Sequence, residues 1–144
     1  MRYVIRQVDI NRPEVKKLLK ALQKECLPLD KALEADRGYW WVVYFKGEAI
    51  AFAALNHSYR WDKTGYLMRV GVRQDHQGKG LQRRLIRIRE RKARQLGWEY
   101  MISDTHYNPA SANNLIKCGY TMYEPAKPWG FKAACYWKKK LTSS

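Results

Sequence analysis

The sequence contains few cysteines, and they are odd in number and far apart: Cys26, Cys118 and Cys135. Such a set excludes a disulfide framework and is not the spacing of a zinc site. We therefore expect reduced thiols, no bound metal and a cytoplasmic location.

Long apolar runs are also absent. No stretch approaches the roughly 20 apolar residues that a membrane span requires, and the first ten residues, MRYVIRQVDI, lack the apolar centre of a secretory signal. Repeats, low-complexity tracts and linkers are missing as well. We expect no membrane partner and a single domain covering residues 1–144.

Acidic residues are scarce, with 13 Asp and Glu against 28 Lys and Arg, so the net charge is +15. This excess favours polyanions such as DNA or RNA. The alternative is that the charge serves solubility and attracts a phosphorylated cofactor, and the sequence leaves both open. The charge would repel a polycationic acceptor, so an acidic or nucleic-acid-associated acceptor is easier to reconcile with it.

One stretch, Val72 to Gly97, combines the end of an apolar run, a glycine turn (Gln77-Gly78-Lys79-Gly80) and a basic helix. Glycines allow backbone N–H groups to approach a ligand closely. The first N–H groups of a helix are unpaired and carry partial positive charge. This arrangement is typical of a phosphate site.

The helix has an apolar face at helical spacing, formed by Leu81, Leu85, Ile88 and Leu96 and widened by Ile86 and Ala93. Gly97 is a suitable stop. From these residues alone, a basic amphipathic helix packed on a sheet explains the pattern equally well. Arginines occupy the remaining faces: Arg83, Arg84, Arg87, Arg91 and Arg94.

The whole chain predicts an α/β (α+β) protein with a mixed sheet, in the order β-α-α-β-β-β-α-β-α-β-β. A two-strand hairpin turns at Lys46-Gly47-Glu48. The predicted strands are Tyr3–Val8, Tyr39–Phe45, Ala49–Leu55, Gly65–Val72, Glu99–Thr105, Tyr120–Tyr123 and Phe131–Lys139. The predicted helices run from about residue 13 to 25, over Lys31 to Asp36, from 81 to 96 and over Pro109 to Lys117.

Two motifs in this order resemble the GNAT superfamily of acyl-CoA-dependent N-acetyltransferases. Gln77, Gly80 and Gln82 occupy the three defining positions of the family's glycine turn, and the first two match its residue types. The segment NPASANNLIKCGY, from Asn108 to Tyr120, is similar to the family's Asn-led helix with its Lys-x-Gly-Tyr ending. The two motifs stand in the family's order with a strand between them, and the resemblance implies a GNAT-like acyl-CoA N-acyltransferase fold.

The resemblance also implies where acetyl-CoA, the co-substrate, binds. The pantetheine arm would bond to the backbone of Val70 and Val72, and the thioester would lie where the strands 65–72 and 99–105 separate. The other residues implied in cofactor binding are Gln77, Gly78, Lys79, Gly80, Leu81, Gln82, Arg84, Asn108 and Ser111.

The sequence departs from the family at two positions. Gln82 stands where Gly or Ala is usual, and its backbone N–H stays available if the side chain points away. Leu115 stands where many members have a Tyr that protonates the leaving thiolate, so the acid is unassigned. Tyr107 and Tyr123 are the spare hydroxyls, for which packing is the alternative role.

The implied reaction is direct attack by a primary amine on the acetyl thioester, and it requires a base because such amines are mostly protonated at neutral pH. Candidates lie at the end of the strand 99–105: Asp104 and His106, with Tyr107 beside them. Capping or loop roles are the alternatives for these residues. An acetyl-cysteine intermediate at Cys118 is not expected.

The acceptor pocket is expected between residues 26–36 and 124–131, with Trp129 as one wall, while Trp40, Trp41 and Trp61 are expected to pack internally. The alternative function is a nucleic-acid-associated protein of this fold, either modifying a nucleobase or binding without catalysis. Partners are thus an amine acceptor and, from the charge, nucleic acid or a protein bound to it. The sequence also allows a homodimer.

Overall fold

The computed structural model describes residues 2–28, 37–130 and 132–141, which form seven strands and three α-helices. The strands are β1 (Tyr3–Val8), β2 (Tyr39–Phe45), β3 (Glu48–His57), β4 (Thr64–Val72), β5 (Tyr100–Thr105), β6 (Thr121–Tyr123) and β7 (Cys135–Lys140). The helices are α1 (Pro13–Cys26), α2 (Leu81–Gln95) and α3 (Pro109–Lys117), with a short 3-10 helix at Gln74–His76. The predicted helix at Lys31 to Asp36 lies outside the described residues.

The strands form a mixed sheet in the order β1-β2-β3-β4-β5-β7-β6. The pairs β1–β2, β2–β3, β5–β7 and β6–β7 are antiparallel, whereas β4 and β5 run parallel. Parallel neighbours need a crossover connection, and α2 supplies it between β4 and β5. The predicted mixed sheet and fold class are confirmed.

The chain divides into two compact units. The first comprises Met1–Asn56 and Met68–Leu81, and the second comprises His57–Leu67 and Gln82–Ser144. Strand β4 contributes residues to both. That the 144 residues form one domain stays a prediction.

In the first unit, α1 packs its apolar face on β2 and β3. Leu19 and Leu22 of α1 are buried together with Trp40, Val42 and Phe52. Pro13 starts the helix without needing its missing N–H. The hairpin between β2 and β3 turns at Lys46 and Gly47, both with positive φ, as the sequence predicted.

The close approach of α1 to the sheet depends on Gly71 in β4. A Cβ at this position would lie 2.6 Å from Cε1 of Phe52 and 2.8 Å from Cβ of Cys26. No side chain fits in that space, so β4 carries a glycine immediately before its last residue, Val72.

In the second unit, α2 and α3 end in the same way. Gly97 and Gly119 adopt φ of +79° and +92°, and the next residues, Trp98 and Tyr120, donate their N–H groups back to Ala93 and Leu115. These are glycine-terminated helix ends, for which a left-handed residue is required.

Two sequence predictions for this unit were wrong in detail. Leu96 lies beyond α2 and is 36% exposed. The last strand starts at Cys135, later than predicted, because the chain is still turning at Ala133, where φ is +68°. The sequence analysis also made no prediction for Arg89 and Glu90, which are buried on the helix's inner face.

The three α-helices of the described ranges are at most 15 residues long, and none is long and apolar enough to cross a membrane.

Candidate functional site

The glycine turn of the first unit presents its backbone to open space. Gly78 and Gly80 have φ of +75° and +77°, a conformation that L-residues rarely adopt. A Cβ built at either position would meet no atom within 4 Å. The N–H groups of this turn can therefore be approached closely by a ligand, which fits the phosphate site predicted from the sequence.

The turn is held by the residues just before it. The Gln77 side chain donates from Nε2 to the Val72 carbonyl at 3.1 Å, closing the loop back onto β4. The His76 ring lies between Tyr3 and Phe45, and its Nδ1 is 2.9 Å from the Tyr3 hydroxyl. Gln77 thus braces the turn, a role its motif position did not reveal.

Arg73, at the end of β4, is a residue that the sequence reasoning did not single out. Its guanidinium pairs with Glu25 and with Glu48, each at 2.6 Å. The backbone N–H of Arg73 donates to the Ile50 carbonyl at 2.9 Å. These contacts fix the direction in which the chain leaves β4 and enters the turn.

In the second unit, the Gln82 side chain, in the first turn of α2, bonds to another helix and not to its own backbone. Its Oε1 accepts a hydrogen bond from Nδ2 of Asn114 in α3, at 2.8 Å. The departure from Gly or Ala at this position therefore adds a link between α2 and α3.

Asn108 begins α3 as an N-cap. Its Oδ1 accepts from the Ser111 N–H at 3.1 Å, and Pro109 follows at the first helical position. Both residues named for cofactor binding on this helix, Asn108 and Ser111, thus lie at its first turn.

The parallel pairing of β4 and β5 covers three residue pairs, the last being Tyr66 with Ile102. One residue further on, the Leu67 carbonyl accepts from the Ser103 hydroxyl at 3.3 Å. In a continuing ladder of parallel strands, a backbone N–H would donate to this carbonyl. Here the Ser103 side chain donates to it, beyond the last of the backbone pairs.

Asp104, one of the two predicted candidates for the base, lies half-buried on β5. Its Oδ1 accepts a hydrogen bond from the Tyr66 hydroxyl at 2.5 Å. Its Oδ2 faces Gly130, where a Cβ would lie only 3.4 Å away. The carboxylate is thus fixed by one oxygen, while the other borders a residue without a side chain.

The other two predicted catalytic residues follow β5 and are exposed. Tyr107 has 83% of its surface exposed and a positive φ of 49°. The His106 ring lies 4.4 Å from the Tyr107 ring. They are therefore neighbours of each other.

Four aromatic rings cluster on the Asp104 side of the sheet. Trp129 contacts Trp61 and Tyr136, with ring centroids 5.6 and 4.4 Å apart, and Tyr123 lies 6.3 to 6.4 Å from the other three rings. The Arg60 guanidinium lies 5.2 Å from the Trp129 ring. Trp129 thus forms part of an aromatic wall.

Beside this cluster is a pocket of about 340 Å³. It is lined in part by β5 and β7, a position that the sequence analysis did not predict. Ile102 lies on the same face of β5 as Asp104, because strand side chains alternate. Residues 29–36 and 131 of the predicted acceptor pocket lie outside the described residues. The lining residues are Trp61, Asp62, Thr64, Tyr100, Ile102, Tyr123 and Lys138.

Trp61 was expected to pack internally, but 41% of its surface is exposed. Trp40 and Trp41 are buried as expected.

Two residues bear on the missing acid. The Leu115 side chain is a hydrocarbon with no proton to give, and it is only 4% exposed and belongs to the core. The Tyr123 hydroxyl is buried and has no hydrogen-bond partner among the described residues. Burial, followed by the neighbouring Tyr136 and Asp104, raises the pKa of Tyr123 to about 12.

Cys26 and Cys118 are poorly suited to nucleophilic catalysis. Burial raises the pKa of the Cys118 thiol, and it raises the pKa of Cys26 to about 11. Since the thiolate is the reactive form, neither residue is activated.

The order of these elements and motifs agrees with one sequence family. The family model described as "Acetyltransferase (GNAT) family" matches residues 8–120. The chain belongs to this GNAT family. The matched range contains both the glycine turn and α3, so the two motifs that suggested the resemblance are part of the match. None of the curated protein sequences matches the chain significantly.

Solved GNAT structures share its fold at low sequence identity. The IAA acetyltransferase from Bacillus cereus is 19% identical, with a TM-score of 0.74 over 97% of this chain and 100% of that one. The ribosomal-protein-S18-alanine N-acetyltransferase from Escherichia coli is 12% identical, with a TM-score of 0.76 over 99% and 96%. The yncA protein from Salmonella typhimurium, solved with its cofactor acetyl-CoA, is 19% identical, with a TM-score of 0.74 over 100% and 96%.

Proposed function

We propose that this GNAT protein transfers the acetyl group of acetyl-CoA to a primary amine by direct attack. The observation that carries the proposal is the glycine turn, because Gly78 and Gly80 have positive φ and open space around the Cβ position, in the position the family uses for phosphate. Membership of the family over residues 8–120 supports acetyl-CoA as the donor.

In this proposal the turn and the start of α2 bind the pyrophosphate. The N–H groups of Gly78 to Gln82 donate to phosphate oxygens, and Lys79 and Arg84 add full positive charges. Gln77 keeps the turn closed, since its side chain bonds to the Val72 carbonyl. The backbone of Val70 and Val72 binds the pantetheine arm, and Asn108 and Ser111 contribute from α3.

We assign the role of base to Asp104. Bound acetyl-CoA supplies an activated acyl carbon; the amine nitrogen forms a bond to that carbon, the carbon–sulfur bond breaks, and the amine's proton passes to the carboxylate. The hydrogen bond from Tyr66 holds one oxygen of Asp104 and leaves Oδ2 beside Gly130 for this proton. His106 is the second candidate at the same strand end.

A residue other than Leu115 must donate the proton to the leaving thiolate. Of the two spare hydroxyls, that of Tyr123 is buried and its pKa is about 12, whereas the Tyr107 side chain is exposed. The accessible hydroxyl is the better donor, so the proposal retains Tyr107.

The acceptor's apolar part would occupy the pocket beside Ile102 and Tyr123. Its lining is mainly aromatic and aliphatic, and Asp104 is the next residue on the same face of β5 after Ile102. An amine carried by a ring or an apolar chain suits this arrangement better than a polycation.

The deciding experiment uses acetyl-labelled acetyl-CoA with purified protein and host lysate separated into protein, nucleic-acid and small-molecule fractions. Label in one fraction, above a control without protein, would support the transfer and identify the acceptor class. Tight acetyl-CoA binding without label in any fraction would contradict amine transfer, and the absence of both would contradict the cofactor assignment as well.

The matched variants are Gly80→Glu and Gly47→Glu. Both glycines have positive φ, +77° and +79°, and open space around the Cβ position, so the backbone strain is equal. Only Gly80→Glu places a carboxylate at the phosphate turn. We expect Gly80→Glu to weaken acetyl-CoA binding at least 100-fold, measured by calorimetry, and Gly47→Glu to leave it within threefold. Equal affinities would overturn the phosphate-turn assignment.

A further inference from the structure

The solvent-facing side of α2 carries far more positive charge than cofactor binding requires. Seven of its 15 residues are Lys or Arg and one is acidic. Arg83, Arg87, Arg91 and Arg94 fall within about 80° of one another around the helix axis. They form a row about 16 Å long, at 1.5 Å per residue.

The distal part of this row borders a groove of about 660 Å³ in the second unit. All six lining residues are polar, and four of them are basic. The groove begins at Arg87, six residues into α2 and about 9 Å along its axis from Leu81. The lining residues are Arg87, Glu90, Arg91, Arg94, Gln95 and Lys139.

The one acid of the groove is already engaged within the protein. Glu90 is 2% exposed, and it accepts from the Tyr120 hydroxyl at 2.7 Å and from Nζ of Lys139 at 3.1 and 3.2 Å. Lys139 also donates to the Cys118 carbonyl at 2.7 Å. The pair of Glu90 and Lys139 therefore cancels in charge, and the lining keeps a net charge of +3 from its arginines.

We propose that this groove binds the phosphate backbone of a nucleic-acid strand, a function separate from acetyl transfer. Guanidinium groups bind phosphate oxygens in bidentate fashion. The row of about 16 Å is long enough to contact successive phosphates of one strand. The net charge of +15 adds long-range attraction.

An anionic membrane fits the same charge less well. Helices that lie on membranes insert a face of Trp, Phe or Leu between the lipids, whereas none of the residues lining the groove is apolar. A concave surface also follows a strand better than it follows a plane. Vesicles are therefore the competing ligand in the test.

The test measures binding of a fluorescein-labelled 20-nucleotide single-stranded RNA to the intact protein by anisotropy, from 50 to 200 mM KCl. The variant Arg87→Glu/Arg91→Glu reverses two groove charges. Its control, Lys17→Glu/Lys20→Glu, reverses two exposed charges on α1, and both variants change the net charge by −4, from +15 to +11. Arg87→Gln/Arg91→Gln provides a milder groove variant in case the charge reversal disturbs folding.

We expect the groove reversal to weaken RNA binding at least tenfold and to reduce the salt slope of log K by about 1.4, at about 0.7 per lost phosphate contact. The glutamine variant should lose affinity in the same direction, and the α1 control should stay within threefold of the unmodified protein. Saturating acetyl-CoA should leave RNA binding unchanged.

Three results would overturn the proposal. The first is equal weakening by the groove and control variants, which would reduce the effect to net charge. The second is displacement of RNA by acetyl-CoA, which would place the RNA on the cofactor site. The third is binding to phosphatidylserine vesicles without binding to RNA. Because acetyl-CoA affinity is measured separately, failure here leaves the proposed transferase activity untouched.

Discussion

Tyr66 of β4 donates its phenolic hydrogen to Oδ1 of Asp104 on β5, at 2.5 Å. The two residues lie on adjacent parallel strands, 38 positions apart in sequence, and the bond fixes the carboxylate at the end of β5. The bond occupies Oδ1 and leaves Oδ2 beside Gly130. Tyr66 therefore orients the carboxylate that we assign as the base.

Replacing Asp104 by Asn should lower kcat about 10²- to 10⁴-fold, the usual contribution of a general base. The amide retains the size of the side chain and an oxygen for Tyr66, so acetyl-CoA affinity should not change. Once an acceptor is known, steady-state kinetics and calorimetry check both expectations. Activity within threefold of the unmodified protein would exclude Asp104 as the base.

Tyr66→Phe separates positioning from chemistry. Removing the hydroxyl takes away the hydrogen bond that orients the carboxylate. We expect Tyr66→Phe to lower kcat while acetyl-CoA affinity, measured by calorimetry, stays unchanged. In the Asp104→Asn background, Tyr66→Phe should have no further effect, because the base that it positions is gone, whereas Tyr107→Phe should lower kcat again. Equal effects of the two variants in that background would contradict these roles.

Gly71→Ala should destabilise the protein by about 1–3 kcal/mol, the usual cost of forcing extra volume into a packed core. The new Cβ would lie 2.6 Å from Phe52 and 2.8 Å from Cys26. Urea unfolding measures the change. Adding Phe52→Leu should relieve part of the clash, so the double variant should be less destabilised than the sum of the single ones, by at least about 0.5 kcal/mol. Strict additivity would show that the ring is not the obstacle.

Tyr120→Phe should destabilise the protein by about 1–3 kcal/mol at pH 7, because a hydrogen bond to a charged group, Glu90, is lost. Burial, and then the charge of Glu90, raises the pKa of Tyr120 well above its ordinary value of 10. In the unfolded chain the phenol ionises near pH 10, so the stability it contributes is complete below that pH. It is lost as pH rises toward the folded pKa, at up to about 1.4 kcal/mol per pH unit.

The unfolding free energy of the unmodified protein should therefore fall more steeply above pH 10 than that of Tyr120→Phe, and the two curves should converge. Denaturant titrations at pH 7, 9, 10 and 11 test this. Tyr100→Phe removes a phenol that is 42% exposed and serves as the control. If the unfolding free energy of Tyr120→Phe fell with pH as steeply as that of the unmodified protein above pH 10, the buried phenol of Tyr120 would not be the cause of the pH dependence.

The strands and helices were predictable where local signals agreed with one another. The β-branched and aromatic run at Tyr39–Phe45 became β2 without a shift, and Pro109 and Gly119 marked the start and end of α3. Each signal acts through a backbone preference that does not depend on distant residues.

The burial of Arg89 and Glu90 could not be predicted in the same way. A charged pair on a basic helix resembles a solvated face until its partners are known. Glu90 finds Lys139 from β7 and Tyr120 from the end of α3, which are 49 and 30 positions away. Burial of Arg89 lowers its pKa to about 10, and its Nε bonds to the Leu85 carbonyl.

The part of the site that depends on local backbone preference was predictable from the sequence, and the part that depends on strand pairing was not. Gly78 and Gly80 carry their conformation in their residue type, so the open turn followed from the motif. The Tyr66–Asp104 bond and the pocket on β5 and β7 arise from strand pairing, which brings Ile102 opposite Lys138. Nothing in the sequence of either strand specifies that register.

Strand β7 assigns two successive lysines to opposite faces of the sheet. Lys138 lies 5.1 Å from the Tyr123 ring beside the pocket, and Lys139 pairs with Glu90 beneath the groove. Deleting one residue early in β7 would move Tyr136 and Trp137 to the opposite faces of the sheet. Trp129 would lose its neighbouring ring and Thr105 the indole N–H, whereas a lysine would still lie beside Glu90, because Lys138 to Lys140 are consecutive. This strand should therefore tolerate substitution at Lys138 far better than a change in its length.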